Sequence, residues 1–112
     1  MFEAYNRVLR LSEKSIGTRT IIVDCYRELI MVRQPASFRK TPSKQKFVDY
    51  PKTHFAFDMM QLRKNQAMNF DGHRLNLGTA TIDVGSDSAR AMFLATDANI
   101  GQFIQNLYFT KE

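Results

Sequence analysis

The sequence predicts a single α+β domain, residues 1–112, in which an antiparallel sheet of about four strands carries an N-terminal and a C-terminal helix on one face. A length of 112 residues with 44% hydrophobic content suits one domain with a real core. Apolar residues recur at helical spacing near both ends of the chain. The second half alternates apolar and polar residues around an Asp-Gly dipeptide, which is typical of hairpins. An extended basic loop at 33–52 completes the predicted domain.

The first predicted element is an amphipathic helix over residues 2–12. Phe2, Tyr5 and Leu9 recur at i, i+3 and i+7, with Val8 beside them. This spacing places them on one face of a helix. The sequence Ser-Ile-Gly at 15–17 ends the periodic segment.

Residues 20–33 fit two structures. A helical stripe is formed by Ile22, Cys25, Leu29 and Val32. Alternation at the start of the segment and β-branched residues at both of its ends instead favour a single long strand. A hairpin would need a tight turn at 27–28, which lacks the Gly or Asn such turns require. We favour the helix and keep the strand as the alternative.

The clearest local signal in the second half is Asp71-Gly72, a dipeptide suited to a type I′ turn. A two-residue turn there pairs positions 70–73, 69–74, 68–75 and 66–77. One face of the hairpin then carries the apolar residues Met68, Phe70, Leu75 and Leu77. The strand continues over 79–84 in the opposite phase, which predicts a bulge or kink at Gly78.

Three further elements complete the predicted fold. Alternation of Phe55, Phe57 and Met59 with polar or small residues predicts a half-buried strand at 54–59. After a turn at 85–87, residues 89–95 are predicted as another strand. The C-terminal helix is predicted to be capped by residue 96 or 97. Its apolar stripe is formed by Ile100, Phe103, Ile104, Leu107 and Tyr108.

The charge of the chain is concentrated in residues 33–52, which we call the basic arm. The arm holds six basic residues and one acid, so it carries the whole net charge of +5, while the other 92 residues hold ten basic and ten acidic side chains. All three prolines also lie in it. Residues that precede proline avoid helical backbone, so we expect an extended arm, with a short strand at 46–48 as the regular element it could contain.

The arm combines cations with aromatic rings, which is the chemistry that binds nucleic acid. Basic side chains neutralise phosphates and release counterions, and aromatic rings stack on unpaired bases. We therefore predict a small nucleic-acid-binding accessory protein for which single-stranded DNA or RNA is favoured over duplex. The predicted binding residues are Arg33, Phe38, Arg39, Lys40, Lys44, Lys46, Phe47, Tyr50 and Lys52. A continuous groove would form if the arm lies beside Arg63, Lys64 and Arg74.

The alternative interpretation of the arm is a protein-interaction module. An inhibitor, adaptor or assembly subunit could dock the same positive charge on an acidic partner surface. A chain of this size would also gain stability from forming a homo-oligomer. A solvated, lysine-rich loop with aromatic anchors is the third alternative.

Catalytic chemistry finds little support in the sequence, so we expect no enzyme, no cofactor and no metal. Cys25 could act as a nucleophile with His54 or His73 as base, but its apolar neighbours favour a structural thiol. One Cys and two His do not have the spacing of a closed zinc site. The acids are scattered, and the glycines match no phosphate-binding loop.

The expected location is the cytoplasm, with no membrane contact. The chain has a single cysteine, a charged N-terminus and no apolar run long enough to span a bilayer.

Overall fold

A computed structural model describes residues 1–65, 68–81, 87–95 and 101–111. The helices are α1 (Phe2–Leu11), α2 (Ile22–Val32), α3 (Ala36–Lys40) and α4 (Lys52–Lys64). The strands are β1 (Thr20–Ile21), β2 (Asn69–Phe70), β3 (His73–Thr79), β4 (Met92–Ala95) and β5 (Gly101–Lys111). The predicted α+β class with an antiparallel sheet is confirmed.

The long strand β5 is the centre of the sheet. It pairs antiparallel with β3 along one edge, and β4 and β1 pair with successive parts of the other edge. The short strand β2 extends the sheet beyond β3, which gives the order β1-β5-β3-β2 with β4 beside β5. Because the strand nearest the C-terminus lies in the middle, the sheet depends on contacts between distant parts of the chain.

The core lies between the sheet and the helices. The Phe109 ring of β5 contacts the rings of Phe2 at 4.9 Å, Tyr5 at 5.1 Å and Phe70 at 5.8 Å, measured between centroids. On the polar side of the α1–α2 pair, Arg7 Nε lies 3.1 Å from a carboxylate oxygen of Glu28. The predicted N-terminal helix is confirmed, with Tyr5 and Leu9 buried on its inner face.

The helix favoured for residues 20–33 is also confirmed. Its inner face buries Ile22, Cys25 and Leu29. The strand-like alternation before it is used only at Thr20–Ile21, which pairs with β5 and leads directly into α2.

The predicted hairpin forms with the expected register. Asp71 and Gly72 have φ values of 51° and 74°, as a turn of this kind requires. Asn69 lies opposite Arg74 and Phe70 opposite His73, and the Leu75 amide donates to the Met68 carbonyl at 2.8 Å. Residue 66, the outermost predicted partner, lies outside the described residues.

The predicted irregularity at Gly78 is a β-bulge. Gly78 lies opposite Asn106 while Thr79 lies opposite Ile104, so Gln105 is the extra residue. The strand β3 ends at Thr79. Most of the predicted continuation over 79–84, and most of the turn at 85–87, falls outside the described residues. The strand predicted at 89–95 is present as Met92–Ala95.

The prediction of a C-terminal helix is wrong, because this segment is strand β5. Side chains of an uninterrupted strand alternate between its faces, so two residues three apart face opposite ways. The bulge at Gln105 reverses this phase and buries both Ile104 and Leu107. A bulged strand thus reproduces the i, i+3 spacing of a helix. The caps predicted at 96 and 97 lie outside the described residues.

The strand predicted at 54–59 is also wrong, because these residues belong to helix α4. Phe55 and Met59, four residues apart, are both buried, and Leu62 packs against the same core. Phe57 is 56% exposed and supplied the apparent alternation. Pro51 is the N-cap, a position from which its fixed φ leads into a helix without loss of a hydrogen bond.

Candidate nucleic-acid interface

The basic arm connects α2 to α4 and is more regular than the sequence predicts. It contains the five-residue helix α3, whose N-cap is Pro35. The short strand considered at 46–48 is absent, and residues 44–46 form a turn instead. The arm is therefore an ordered connection whose first half is helical and whose second half is irregular.

Gln34 holds the two halves of the arm together. Its amide nitrogen donates to the carbonyls of Ile30 at 2.8 Å and Val48 at 2.7 Å, and its amide oxygen accepts from the Val48 amide at 2.8 Å. Gln34 is only 4% exposed, so these bonds satisfy a buried polar group. The end of α2 is thereby tied to the irregular segment that precedes α4.

Tyr50 anchors the C-terminal end of the arm in the core. It is 5% exposed, its hydroxyl donates to the Asp58 carboxylate, and its carbonyl accepts from the Tyr26 hydroxyl at 2.5 Å. The Arg33 guanidinium lies 4.2 Å from the centroid of its ring. Burial first, and then the hydrogen bond to Asp58, raise the pKa of Tyr50, which keeps it a hydroxyl donor.

The three aromatic residues predicted for base stacking thus differ in access. Phe38 and Phe47 pack edge to face with centroids 5.7 Å apart. Phe47 is 39% exposed and Phe38 is partly buried, whereas Tyr50 lies in the core with Arg33 over its ring. Phe47 is the ring of the arm most accessible to a base.

The basic side chains of the arm fall into two groups. Arg33 stacks on Tyr50, Arg39 donates to the Val32 carbonyl, and Lys52 Nζ lies 3.4 Å from the Ser88 carbonyl. These three cations are partly used within the fold. The second group is exposed and has no hydrogen bond or ion pair within the described ranges; it consists of Lys40, Lys44 and Lys46.

The arm has little internal compensation for this charge. Its single acid, Asp49, accepts a hydrogen bond from the Tyr50 amide at 2.8 Å instead of pairing with a lysine. The ion pairs found among the described residues join Arg7 to Glu28, Arg27 to Asp24 and Arg90 to Asp87, all outside the arm. The three lysines therefore present a positive surface to solvent.

The fold brings Arg63 and Arg74 together. They line a separate cavity between the end of α4 and the β2–β3 hairpin, and none of its described lining residues belongs to the arm. The sequence suggests both arginines as an extension of the arm, but it does not predict that they share a cavity, because it predicts the first part of α4 as a strand. The predicted hairpin register did place Arg74 opposite Asn69, but nothing in the sequence placed Arg63 beside them.

The cysteine and the two histidines considered for catalysis lie apart from one another in their described contacts. Cys25 is buried with Sγ 3.0 Å from the Thr20 hydroxyl oxygen, and burial raises the pKa of its thiol to about 11. His73 stacks on Phe2 at 4.7 Å, and His54 is exposed on α4. Neither histidine is among the described partners of Cys25. No metal-binding group of three or more His, Cys, Asp or Glu occurs in the part of the chain that the structure describes.

No protein-family model matches the chain, and no match was found among the curated proteins or the solved structures compared with it. Of the helices in the described ranges, none has the length and apolar character needed to cross a bilayer.

Proposed function

We propose that this protein is a small nucleic-acid-binding accessory protein that contacts phosphates through its basic arm, with single-stranded DNA or RNA favoured. The observation that carries the proposal is a set of exposed lysines at 40, 44 and 46, which have no side-chain hydrogen bond or ion pair among the described residues, on an arm that Gln34 and Tyr50 hold in shape. This set is the electrostatic footprint typical of a nucleic-acid-binding surface.

The shape of the arm supports single strands over duplex. A recognition helix that reads a major groove needs several turns, and α3 has only five residues. An irregular segment with the half-exposed ring of Phe47 suits unpaired bases, which can stack on it. Because internal hydrogen bonds already order the arm, binding loses less conformational entropy than it would with a free loop.

The direct test is a fluorescence-anisotropy titration with labelled single-stranded and duplex oligonucleotides at low salt and at about 0.2 M salt. The variant replaces Lys40, Lys44 and Lys46 with Ala and keeps Arg39, which bonds to the end of α2. Each phosphate contact on a single strand contributes about −0.7 to the slope of log K against log salt. We expect the variant to flatten the slope by about 2.

The matched control removes the same charge elsewhere, by replacing the exposed residues Arg10, Lys14 and Lys111 with Ala. We expect this control to retain most of the wild-type slope. The proposal is rejected if the wild-type protein binds no oligonucleotide at low salt. Equal losses of slope in the two variants would show a response to total charge and would remove the assignment to the arm.

Docking on an acidic protein surface is the competing outcome of this test. In that case oligonucleotides do not bind, while partners captured from lysate persist after nuclease treatment and are lost with the three-lysine variant. Sedimentation equilibrium on the purified protein determines whether it forms a homo-oligomer.

A further inference from the structure

We propose that Arg63, Asn69 and Arg74 form a phosphate-binding site that is distinct from the basic arm. The site is a cavity of about 420 Å³ between the C-terminal end of α4 and the β2–β3 hairpin. Its described lining consists of these three polar residues and Met68. Two guanidinium groups and a side-chain amide therefore line one space, and its described lining holds no acid.

Arg63 has an unused hydrogen-bond donor among the described residues. Its Nη1 atom is buried and has no hydrogen-bond partner among the described residues. A buried donor on a charged group is costly to leave unsatisfied. The helix dipole favours a basic residue in the last turn of α4, but it does not account for a guanidinium nitrogen buried without an acceptor.

The hairpin brings the other donors to the same place. Arg74 lies directly opposite Asn69 in the β2–β3 ladder, so their side chains leave the same face of the hairpin. Neither Arg63 nor Arg74 takes part in an ion pair within the described ranges. Guanidinium groups bind the oxygens of a phosphate in bidentate fashion, and an asparagine amide adds a neutral donor. A phosphate group supplies the acceptors that this set lacks.

Part of the arm lies near the cavity, because Arg33 and Tyr50 line a pocket together with residues of the second half of α4 and with Phe70 of β2. Lys52 begins the helix and Arg63 is in its last turn, about 16 Å away along the axis. The phosphate could be a free phosphate or part of a nucleic acid that also contacts the arm; only this second source rests on the proposed function.

The first experiment is a titration of the ¹⁵N-labelled protein with inorganic phosphate, followed by amide chemical shifts. We expect saturable shifts at residues 63, 69 and 74. Arg63→Gln and Arg74→Gln should each weaken the apparent affinity at least tenfold, because one of the two guanidinium groups is lost. Arg63→Lys keeps the charge but not the planar fork, so we expect an intermediate loss. Arg10→Gln, an exposed charge change on α1, is the control and should have no effect.

The second experiment identifies the source of the phosphate. It compares oligonucleotides of one sequence with and without a 5′-phosphate, using wild type, Arg63→Gln and the three-lysine arm variant. Weaker oligonucleotide binding in Arg63→Gln supports a site that extends the arm. If phosphate binds but oligonucleotide binding is unchanged in Arg63→Gln, the cavity holds a free phosphate. Either result supports the inference.

The inference is overturned if phosphate gives no saturable shifts, or if the shifts lie elsewhere and persist unchanged in Arg63→Gln. These outcomes are distinct from failure of the proposed function. That failure is the absence of oligonucleotide binding by the wild-type protein, and it leaves the response of the cavity to inorganic phosphate intact.

Discussion

Phe47 shows how the role of a single residue depends on access. Phe38, Phe47 and Tyr50 look equivalent in the sequence, because each is an aromatic residue among cations. Tyr50 bonds to Tyr26 and Asp58 in the core, whereas Phe47 packs on Phe38 by an edge and keeps 39% of its surface exposed. If the arm binds single strands, the stacking contribution is concentrated at Phe47.

We therefore expect Phe47→Ala to weaken single-strand binding about fivefold or more, the lower end of the roughly 1–3 kcal/mol attributed to one base–aromatic stack. The salt slope should stay unchanged, because no phosphate contact is removed. Phe57→Ala is the matched control, since Phe57 is an exposed phenylalanine on α4 outside the arm. Anisotropy titrations at several salt concentrations measure both quantities. An unchanged affinity in Phe47→Ala would show that the ring does not stack on bases.

At the scale of elements, the arm holds its shape through hydrogen bonds that are distant in sequence. Gln34 joins the end of α2 to Val48, fourteen residues later, by bonds in both directions. Proline restricts the backbone along the arm, but it does not specify this closure. The structure of the arm is therefore set by one buried amide and by the Tyr50 anchor.

We predict that Gln34→Ala lowers the free energy of unfolding by about 1–3 kcal/mol, because it leaves buried partners of the amide unsatisfied. The effect should be largest locally, with faster hydrogen exchange at the Val48 amide and faster proteolysis within residues 41–48. Gln45→Ala provides the control, because Gln45 is exposed on the same arm. Equal exchange rates in the two variants would contradict a closing role for Gln34.

Two elements also show where local sequence patterns fail. β5 imitates a helix because the bulge at Gln105 buries residues three apart. α4 imitates a strand because Phe57, between buried Phe55 and Met59, is exposed on the outer side of the helix. In each segment the apolar residues have the stated spacing. Which of them are buried depends on the helix or strand that packs against the segment. The Asp71-Gly72 hairpin succeeds because its turn chemistry and register are local.

At the scale of the whole molecule, one buried thiol and two buried tyrosine hydroxyls make the free energy of unfolding depend on pH in the alkaline range. Burial raises the pKa of the Cys25 thiol from 9.0 to about 11, and burial also raises the pKa of Tyr26 and Tyr50. Each group keeps its proton longer in the folded state than in the unfolded state. The contribution of these groups to stability is therefore fully present below pH 9 and is lost as the pH rises above it.

We predict that the free energy of unfolding falls by about 2 kcal/mol between pH 9 and pH 11 through Cys25, which is most of the roughly 2.7 kcal/mol that two pKa units represent over the whole titration. Urea denaturation at several pH values measures this decline. Cys25→Ala should flatten it between pH 9 and 10, although the lost side-chain volume lowers stability at every pH. Parallel pH profiles for the two proteins would exclude Cys25 as the source.

The sequence by itself determined the α+β class, the first helix, the hairpin with an irregularity at Gly78, and the concentration of charge in the arm. These features depend on composition or on residues close along the chain. Tertiary structure decided that β5 lies at the centre of the sheet, that Tyr50 is an anchor, and that Arg63 and Arg74 share a cavity. The physical reason is that burial is a property of pairs of elements. A residue's neighbours in the chain are given by the sequence, whereas its neighbours in space are given by the way the helices and strands pack around β5.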